Sequence, residues 1–456
     1  MNVAVVGLGK LGACMAAAMS HKGLDVVGVD INEQAVAAIN AGRPHFYEPQ
    51  LDEMIANAER LRATQDHAEA VAQAAATFLV VPTPSEEGGE FSLRHVRAAA
   101  ELVGSALADK SAYHLVVLTS TVLPGGTQEG LIDVLERSSG KRCGPDFGVC
   151  YSPEFIALGT VIRDFLNPEL LLIGQHDERA GDRLEQIYRS VLDNEPAVRR
   201  MAIVNAELTK IALNTFVTTK ITFANMLAHM CETLPGGDVD AVTDALGQDS
   251  RIGGRYLSAG LGYGGPCFPR DNRALRGWAS RVGASALLAD ATDDLNRTLG
   301  QRTLASILSR CSPDSSVAIL GLTYKPGSAV LDGSEALQLA EALARTGLRV
   351  RAYDPLREML ACEAVDERIE IVGSLAEAIE GADVVVLATP DPDFAHLKAS
   401  DLAEGTIVID CWRLLRRALE GADGVIYVGL GIGPPGGGSD GSGAQDPALG
   451  AAAAGR

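Results

Sequence analysis

The chain has 456 residues, nearly half of them apolar and few aromatic, enough to bury two or three separate cores. Its formal charge of −20 argues against nucleic acid or an anionic membrane as the main partner, so any anionic substrate needs a local cluster of Lys and Arg. The eight cysteines form no CxxC pair and no metal-ligand spacing, no signal peptide precedes the first strand, and no apolar run could span a bilayer; the expectation is a metal-free, soluble, cytoplasmic protein.

Residues 2–6, Asn-Val-Ala-Val-Val, predict a buried strand. Gly7-Leu8-Gly9-Lys10-Leu11-Gly12 follows, then an alanine-rich helix over about 13–22 and a second strand, Asp25 to Asp30, that ends in an acid. Strand, G-x-G-x-x-G, helix, strand and acid in that order form the dinucleotide fingerprint in its required context. Gly7 permits the turn, Gly9 admits a pyrophosphate close to the backbone, and Gly12 lets helix and strand pack tightly. The pyrophosphate belongs at the helix N-terminus, where free N–H groups and the dipole favour negative charge. Asp30 would accept from the ribose hydroxyls. No Arg follows it to hold a 2′-phosphate, which favours NAD over NADP. Gly7, Gly9, Leu11, Gly12 and Asp30 are thus candidate cofactor contacts.

Strands at Thr77–Val81 and Leu115–Thr119 leave through Pro82-Thr83-Pro84 and Ser120-Thr121-Val122-Leu123-Pro124-Gly125. In a parallel sheet such exits line the cofactor crevice, which makes Thr83 and Thr121 candidates, although hydroxyls there also serve as N-caps. Val149-Cys150-Tyr151 leads into Ser152-Pro153-Glu154-Phe155, where Glu154 is equally readable as cap or catalyst.

From about Ile203 to Leu234 the pattern is one long helix, roughly 45 Å at 1.5 Å per residue. Glu207, Lys210, Asn214, Thr218 and Asn225 recur at spacings that share a face. Two readings stay open for that stripe: a satisfied hydrogen-bond network, or an oxyanion site built on a Lys and an Asn one turn apart. The remaining faces are more apolar than one core requires, so the helix is expected between subunits.

Residues 260–271, Gly-Leu-Gly-Tyr-Gly-Gly-Pro-Cys-Phe-Pro-Arg-Asp, hold a thiol on a glycine-lined loop stiffened by Pro266 and Pro269. A free cysteine is most often a small buried hydrophobe. This loop chemistry, with Arg270 and Asp271 alongside, reads instead as a presented nucleophile. A helical stretch over about 283–309 then leads to strand-helix-strand at 316–322, 335–346 and 348–354, with further strands at 383–388, 406–410 and 424–427. It reads as a second nucleotide-binding domain, but Gly321-Leu322-Thr323-Tyr324-Lys325 lacks the fingerprint glycines. Residues 433–456 read as a disordered tail.

Over about residues 1–430 the chain resembles the UDP-glucose/GDP-mannose dehydrogenase family. The matching motifs are Gly7-Leu-Gly-Lys-Leu-Gly12, Glu48-Pro49, Val81-Pro-Thr-Pro84, Ser120-Thr-Val122, Ser152-Pro-Glu-Phe155, Glu207-Leu-Thr-Lys210 with Asn214, Arg251-Ile-Gly, Gly262-Tyr-Gly-Gly-Pro-Cys267-Phe-Pro-Arg-Asp271 and Gly321-Leu-Thr-Tyr-Lys325-Pro. The resemblance implies an α/β fold, two Rossmann-like doubly wound parallel-sheet domains joined by a long central helix. It divides the chain into an NAD-binding domain (1–200), a central helical dimerisation domain carrying the cysteine loop (201–305), a nucleotide-sugar-binding domain (306–432) and the tail. The implied activity is oxidation of the C6 alcohol of a nucleotide-linked hexose, UDP-glucose, GDP-mannose or similar, to the uronic acid with two NAD, for polysaccharide biosynthesis. Cys267 would be the nucleophile, Lys210 and Asn214 the oxyanion donors, Glu154 the base for the hydrolytic water with help from Thr121, and Asp271 an orienting residue. Substrate contacts implied are Glu154, Phe155, Lys210, Asn214, Asn225, Tyr256, Leu257, Gly260, Gly264 and Lys325, with Arg251 serving the neighbouring site of a homodimer or dimer-based oligomer.

The chain departs from the family pattern at several points. Arg270 stands where Lys is usual, and Ile156-Ala157-Leu158-Gly159 replaces Leu-Arg-Glu-Gly. Asp332-Gly333-Ser334 stands where Arg-Glu-Ser is usual, and Arg413 follows Asp410 one place later than expected. A charge reversed at 332 is expected to weaken NAD binding, by about 1–3 kcal/mol if the site is partly buried. The alternatives to a four-electron dehydrogenase are therefore an NAD- or nucleotide-sugar-binding protein with weak turnover, kept for sensing or assembly, and a two-electron hydroxyacid dehydrogenase, which would need no cysteine.

Overall fold

A computed structural model describes residues 1–360 and 365–435. The segment read as a disordered tail lies, from residue 436 on, outside the described residues. The chain forms two compact units, residues 1–214 with 270–286, and 215–269 with 287 onward.

The first unit is built on eight strands: β1 (Asn2–Val6), β2 (Asp25–Val29), β3 (Leu61–Thr64), β4 (Ala76–Leu79), β5 (His114–Leu118), β6 (Phe147–Tyr151), β7 (Leu170–Gln175) and β8 (Ala197–Ala202). They lie in the order β3-β2-β1-β4-β5-β6-β7-β8, all parallel except the β6–β7 pair. Successive side chains of a strand face opposite sides, and β1 shows the result: Val3 and Val5 enter one core, Ala4 and Val6 the other. The helix Lys10–His21 is buried at every residue from Gly12 to Ser20. Its small side chains are what let it lie directly on the sheet. β3, β7 and β8 lie outside the strands expected from sequence, although β7 is an apolar run, Leu-Leu-Leu-Ile; β8, Ala-Val-Arg-Arg-Met-Ala, is a partly exposed edge strand without clean alternation.

The second unit holds β9 (Ser316–Leu320), β10 (Arg349–Tyr353), β11 (Ile369–Ile371), β12 (Val384–Leu387), β13 (Thr406–Asp410) and β14 (Val425–Gly429), all parallel, in the order β11-β10-β9-β12-β13-β14. Here Val317 and Ile319 face one core and Ala318 and Leu320 the other. The expected long helix runs from Ile203 to Glu232, thirty residues, and belongs to the first unit as far as Asn214. Among the described residues no helix is long and apolar enough to cross a membrane.

One expectation is corrected. The stretch 260–271 is not a loop throughout, because a helix begins at Phe268 and continues to Arg281. Pro269 sits in its first turn, where a missing N–H costs nothing and the fixed φ suits the helix. The glycines before Cys267 and the prolines on both sides of it hid this start.

Candidate active site

The fingerprint turn has the geometry its sequence demands. Gly7 is left-handed at φ 96°, and a Cβ there would lie 2.3 Å from the Val80 carbonyl oxygen. A Cβ on Gly12 would meet the Gly7 carbonyl at 1.8 Å, whereas one on Gly9 would meet nothing within 4 Å. The space above Gly9 is therefore open. The helix that starts at Lys10 has no side-chain cap and no acid in its first turn, so those amides, Leu11 among them, suit a pyrophosphate. Asp30 accepts from Leu8 N at 2.6 Å and Asn32 N at 2.8 Å, which shapes the turn and leaves lone pairs for a ribose. These residues fit NAD.

The strand exits are tied to one another. Thr83 donates its hydroxyl to the Thr121 carbonyl at 2.8 Å, and Ser120 bridges Val81 by accepting from its N–H and donating to its carbonyl. Thr83 is thus first a loop tie, with only acceptor capacity left toward a cofactor. Glu207, the first residue of the polar stripe, accepts from Gly125 N and Thr127 N at 2.7 Å each and is a structural cap. The network reading holds for it.

Glu154 accepts from the Tyr188 hydroxyl at 3.0 Å. Burial pushes its carboxyl up to about 7, opposed by that hydrogen bond and by the Lys210 charge. Lys210 donates to the Glu154 carbonyl oxygen at 2.7 Å and lies 4.7 Å from the Phe155 ring centroid. The following segment, where the family's charges are missing, is held from beneath. Buried Glu48 accepts from Gly159 N at 2.9 Å and Val161 N at 2.8 Å, while Ile156 and Leu158 pack on the core. Neither Tyr188 nor the role of Glu48 carries a local sequence signal, since both act on residues far along the chain.

Asn214, one turn beyond Lys210, donates to Asp271 at 2.6 Å. Asp271 is 1% exposed, in the first turn of the helix Phe268–Arg281, and receives Arg270 as well; the Arg270 guanidinium stacks 4.6 Å from the Phe91 ring. That helix packs on Phe91, Leu123 and Ile211 through Ala274.

Cys267 stands immediately before that helix and alone is exposed among the seven described cysteines. A packed thiol would be buried; this one is presented. The loop leading to it requires its glycines. A Cβ on Gly260 would lie 2.3 Å from the Trp412 ring, and one on Gly264 would lie 2.1 Å from the Gly333 carbonyl oxygen. Asn296 grips Tyr263 by both amide atoms, at 2.9 Å each.

Other candidates of the second unit fall into distinct settings. Asn225 accepts from Gly260 N at 2.9 Å, while its Nδ2, like the Thr222 hydroxyl, is buried without a partner. Both line a small pocket of about 40 Å³ with His229, Asn296 and Arg302. Thr218 donates to the Thr215 carbonyl. Leu257 is buried in a small apolar cluster, and Tyr256 is exposed at φ 60°. Arg251 is exposed and paired with Asp249. Lys325 lies 5.8 Å from the Tyr324 ring. At the corresponding turn of the second unit the Asp354 carboxylate accepts from Leu322 N at 2.8 Å and Thr323 N at 3.1 Å, as Asp30 accepts from Leu8 N in the first. Arg413, displaced by one place, is buried and clamps the loop by donating to Asp240, Leu430 and Ala259.

Residues 1–192, 204–298 and 318–417 match the NAD binding, central and UDP binding domains of the UDP-glucose/GDP-mannose dehydrogenase family. A UDP-glucose 6-dehydrogenase of Haloferax volcanii is 38% identical, over 93% of this chain and 99% of that protein. A GDP-mannose 6-dehydrogenase of Azotobacter vinelandii is 34% identical, over 94% of this chain and 100% of its own. The solved structure of a UDP-glucose dehydrogenase from the hyperthermophilic archaeon Pyrobaculum islandicum superposes with a TM-score of 0.84 at 33% identity, covering 94% of this chain and 98% of that one. The chain belongs to the UDP-glucose/GDP-mannose dehydrogenase family. It is an NAD-dependent oxidoreductase of the nucleotide-sugar 6-dehydrogenase class, with the family's NAD-binding domain.

Proposed function

We propose that the protein removes four electrons from C6 of a nucleotide-linked hexose, UDP-glucose, GDP-mannose or a close relative, and releases the uronic acid. The observation that carries this reading is an exposed thiol at Cys267 four residues before buried Asp271, which holds Asn214 one turn from Lys210. NAD, when bound, takes the hydride from C6 in each of two oxidations.

The chain's residues divide the remaining work. An aldehyde has no second hydride to lose until a nucleophile makes its carbon tetrahedral. Cys267, at a helix start where an anion is favoured, adds to it as the thiolate and gives a thiohemiacetal. Loss of the second hydride leaves a thioester. Lys210 and Asn214 donate to the oxygen that carries negative charge in both additions. Glu154 takes the proton of the water that cleaves the thioester, and Thr121 assists through that water. Gly7, Gly9, Leu11, Gly12, Asp30 and Thr83 hold the cofactor. Phe155, Asn225, Tyr256, Leu257, Gly260, Gly264 and Lys325 hold the substrate. By this reading residues 1–200 bind NAD, 201–305 carry the cysteine loop and the dimer helix, and 306–432 bind the nucleotide sugar.

Val204, Leu208, Phe216, Phe223 and Met230 leave an exposed apolar stripe on the helix Ile203–Glu232, which supports a homodimer formed through it and an Arg251 that reaches the neighbouring site. The protein works in the cytoplasm. Incubation with UDP- and GDP-hexoses tests the reading: two NADH per sugar acid are expected. A ratio of one with free aldehyde would overturn the cysteine scheme, and no release from any sugar would favour a binding protein.

A further inference from the structure

The loop that carries Cys267 rests on the segment where this chain replaces the family's usual Arg-Glu with Asp332-Gly333. Gly333 is left-handed at φ 65°, and its carbonyl accepts from Gly265 N at 2.9 Å. Gly265, two residues before Cys267, is left-handed too, at φ 77°. A Cβ on Gly333 would stand 2.8 Å from the Gly265 carbonyl oxygen and 3.0 Å from its nitrogen. A Cβ on Gly265 would stand 2.6 Å from the Tyr324 ring. Gly265 is therefore held between the Gly333 backbone on one side and an aromatic ring on the other.

Gly333 is itself fixed from behind. Ser334 donates to the Leu322 carbonyl at 2.6 Å and caps the helix Glu335–Arg345 by accepting from Leu337 N at 3.2 Å. The carbonyl of Gly333 shares a peptide plane with the Ser334 N–H, which donates to the Leu331 carbonyl at 2.9 Å, so swinging it would break that bond. Glu335, the first residue of the helix, brings its Cγ to 3.6 Å from where a Cβ of Gly264 would lie. Backbone meets backbone here, with no room for a side chain between them. Any side chain at 333 would force this contact to shift.

We propose that Gly333 is a positioning residue for Cys267: its backbone seats Gly265 and so sets where the thiol is presented. This rests on the reading of Cys267 as the nucleophile. A misplaced nucleophile costs turnover more than binding, because the reacting atoms must meet within a narrow geometry.

The test compares Gly333→Ala with Gly327→Ala. Gly327 is also left-handed, at φ 71°, but a Cβ there meets nothing within 4 Å, so it carries the strain without the contact. For protein that elutes like wild type, kcat, both KM values and the rate of Cys267 alkylation by iodoacetamide are measured. Gly333→Ala is expected to lower kcat roughly tenfold to a hundredfold, to leave both KM values within about threefold and to change the alkylation rate; Gly327→Ala is expected to match wild type. Wild-type kcat and alkylation in Gly333→Ala overturn the proposal, as does an equal loss in Gly327→Ala. If Gly333→Ala does not fold, Tyr324→Leu loosens the other side of Gly265 and is expected to give the same signature, its absence again overturning the proposal. Cys267→Ser separates the two readings: if it keeps full turnover, the nucleophile assignment fails, whereas an inactive Cys267→Ser beside an unaffected Gly333→Ala removes only the positioning role.

Discussion

Asn214 donates its side-chain amide to Asp271 at 2.6 Å, joining two residues 57 positions apart. One amide N–H is consumed and the other remains as a donor aimed by that bond. Because Asp271 is buried and also receives Arg270, its carboxylate cannot wander. Asp271→Asn replaces an acceptor-only group with one that can also donate and frees Asn214 to turn. The expected result is a fall in kcat of roughly a hundredfold, the scale of losing one oxyanion donor, with the NAD dissociation constant unchanged. A variant with near-normal kcat would show the pair to be scaffolding.

Glu154 makes the pH dependence predictable. Burial pushes its carboxyl up to about 7, so the ionised base grows with pH through neutrality. Thioester hydrolysis should therefore accelerate between about pH 6 and pH 8, and Glu154→Gln should flatten that profile and accumulate an acyl-enzyme visible by intact mass. Folding runs the other way. A carboxyl whose folded pKa exceeds its unfolded one binds an extra proton in the native state, so its contribution favours folding at low pH and is lost as pH rises toward 7. Between about pH 4.5 and pH 7 the melting temperature of Glu154→Gln should accordingly fall less than that of wild type. Parallel curves would remove Glu154 from the titration.

Cys267→Ser keeps the side chain's shape but replaces a thiol with a hydroxyl that stays protonated at neutral pH. NAD and nucleotide-sugar affinities should remain near wild type because the glycine loop is undisturbed. Net turnover should fall by orders of magnitude, and any covalent adduct should persist, since an ester hydrolyses less readily than a thioester. Near-normal production of the sugar acid would make Cys267 a structural residue.

Asp332 is exposed, so its charge can be changed without touching a core. Asp332→Arg should tighten NAD binding by no more than about 1 kcal/mol, the scale of a solvent-exposed charge pair, measured by titration calorimetry, if this loop faces the cofactor. An unchanged or higher dissociation constant would show that it does not. The neighbouring Gly333 has no such tolerance, because there the backbone makes the contact.

The sequence by itself determined the elements whose signal is local. β1, the Gly7–Gly12 turn, β2 ending beside Asp30 and the long helix from Ile203 all follow from periodicity, glycine placement and a single acid. The exposure of Cys267 was legible too, because Gly264, Gly265 and Pro266 announce a special backbone ahead of it. Only tertiary structure decided which polar residues of that helix serve as caps and which reach other partners. Glu207 and Lys210 look alike in sequence, yet one closes the amides of Gly125 and Thr127 and the other donates beside Glu154. The helix beginning at Phe268, the Tyr188 hydroxyl on Glu154 and the seat of Gly265 on Gly333 were equally beyond local reading. Each depends on a partner brought close by folding, and a hydrogen bond or a missing Cβ carries meaning only against the group it meets.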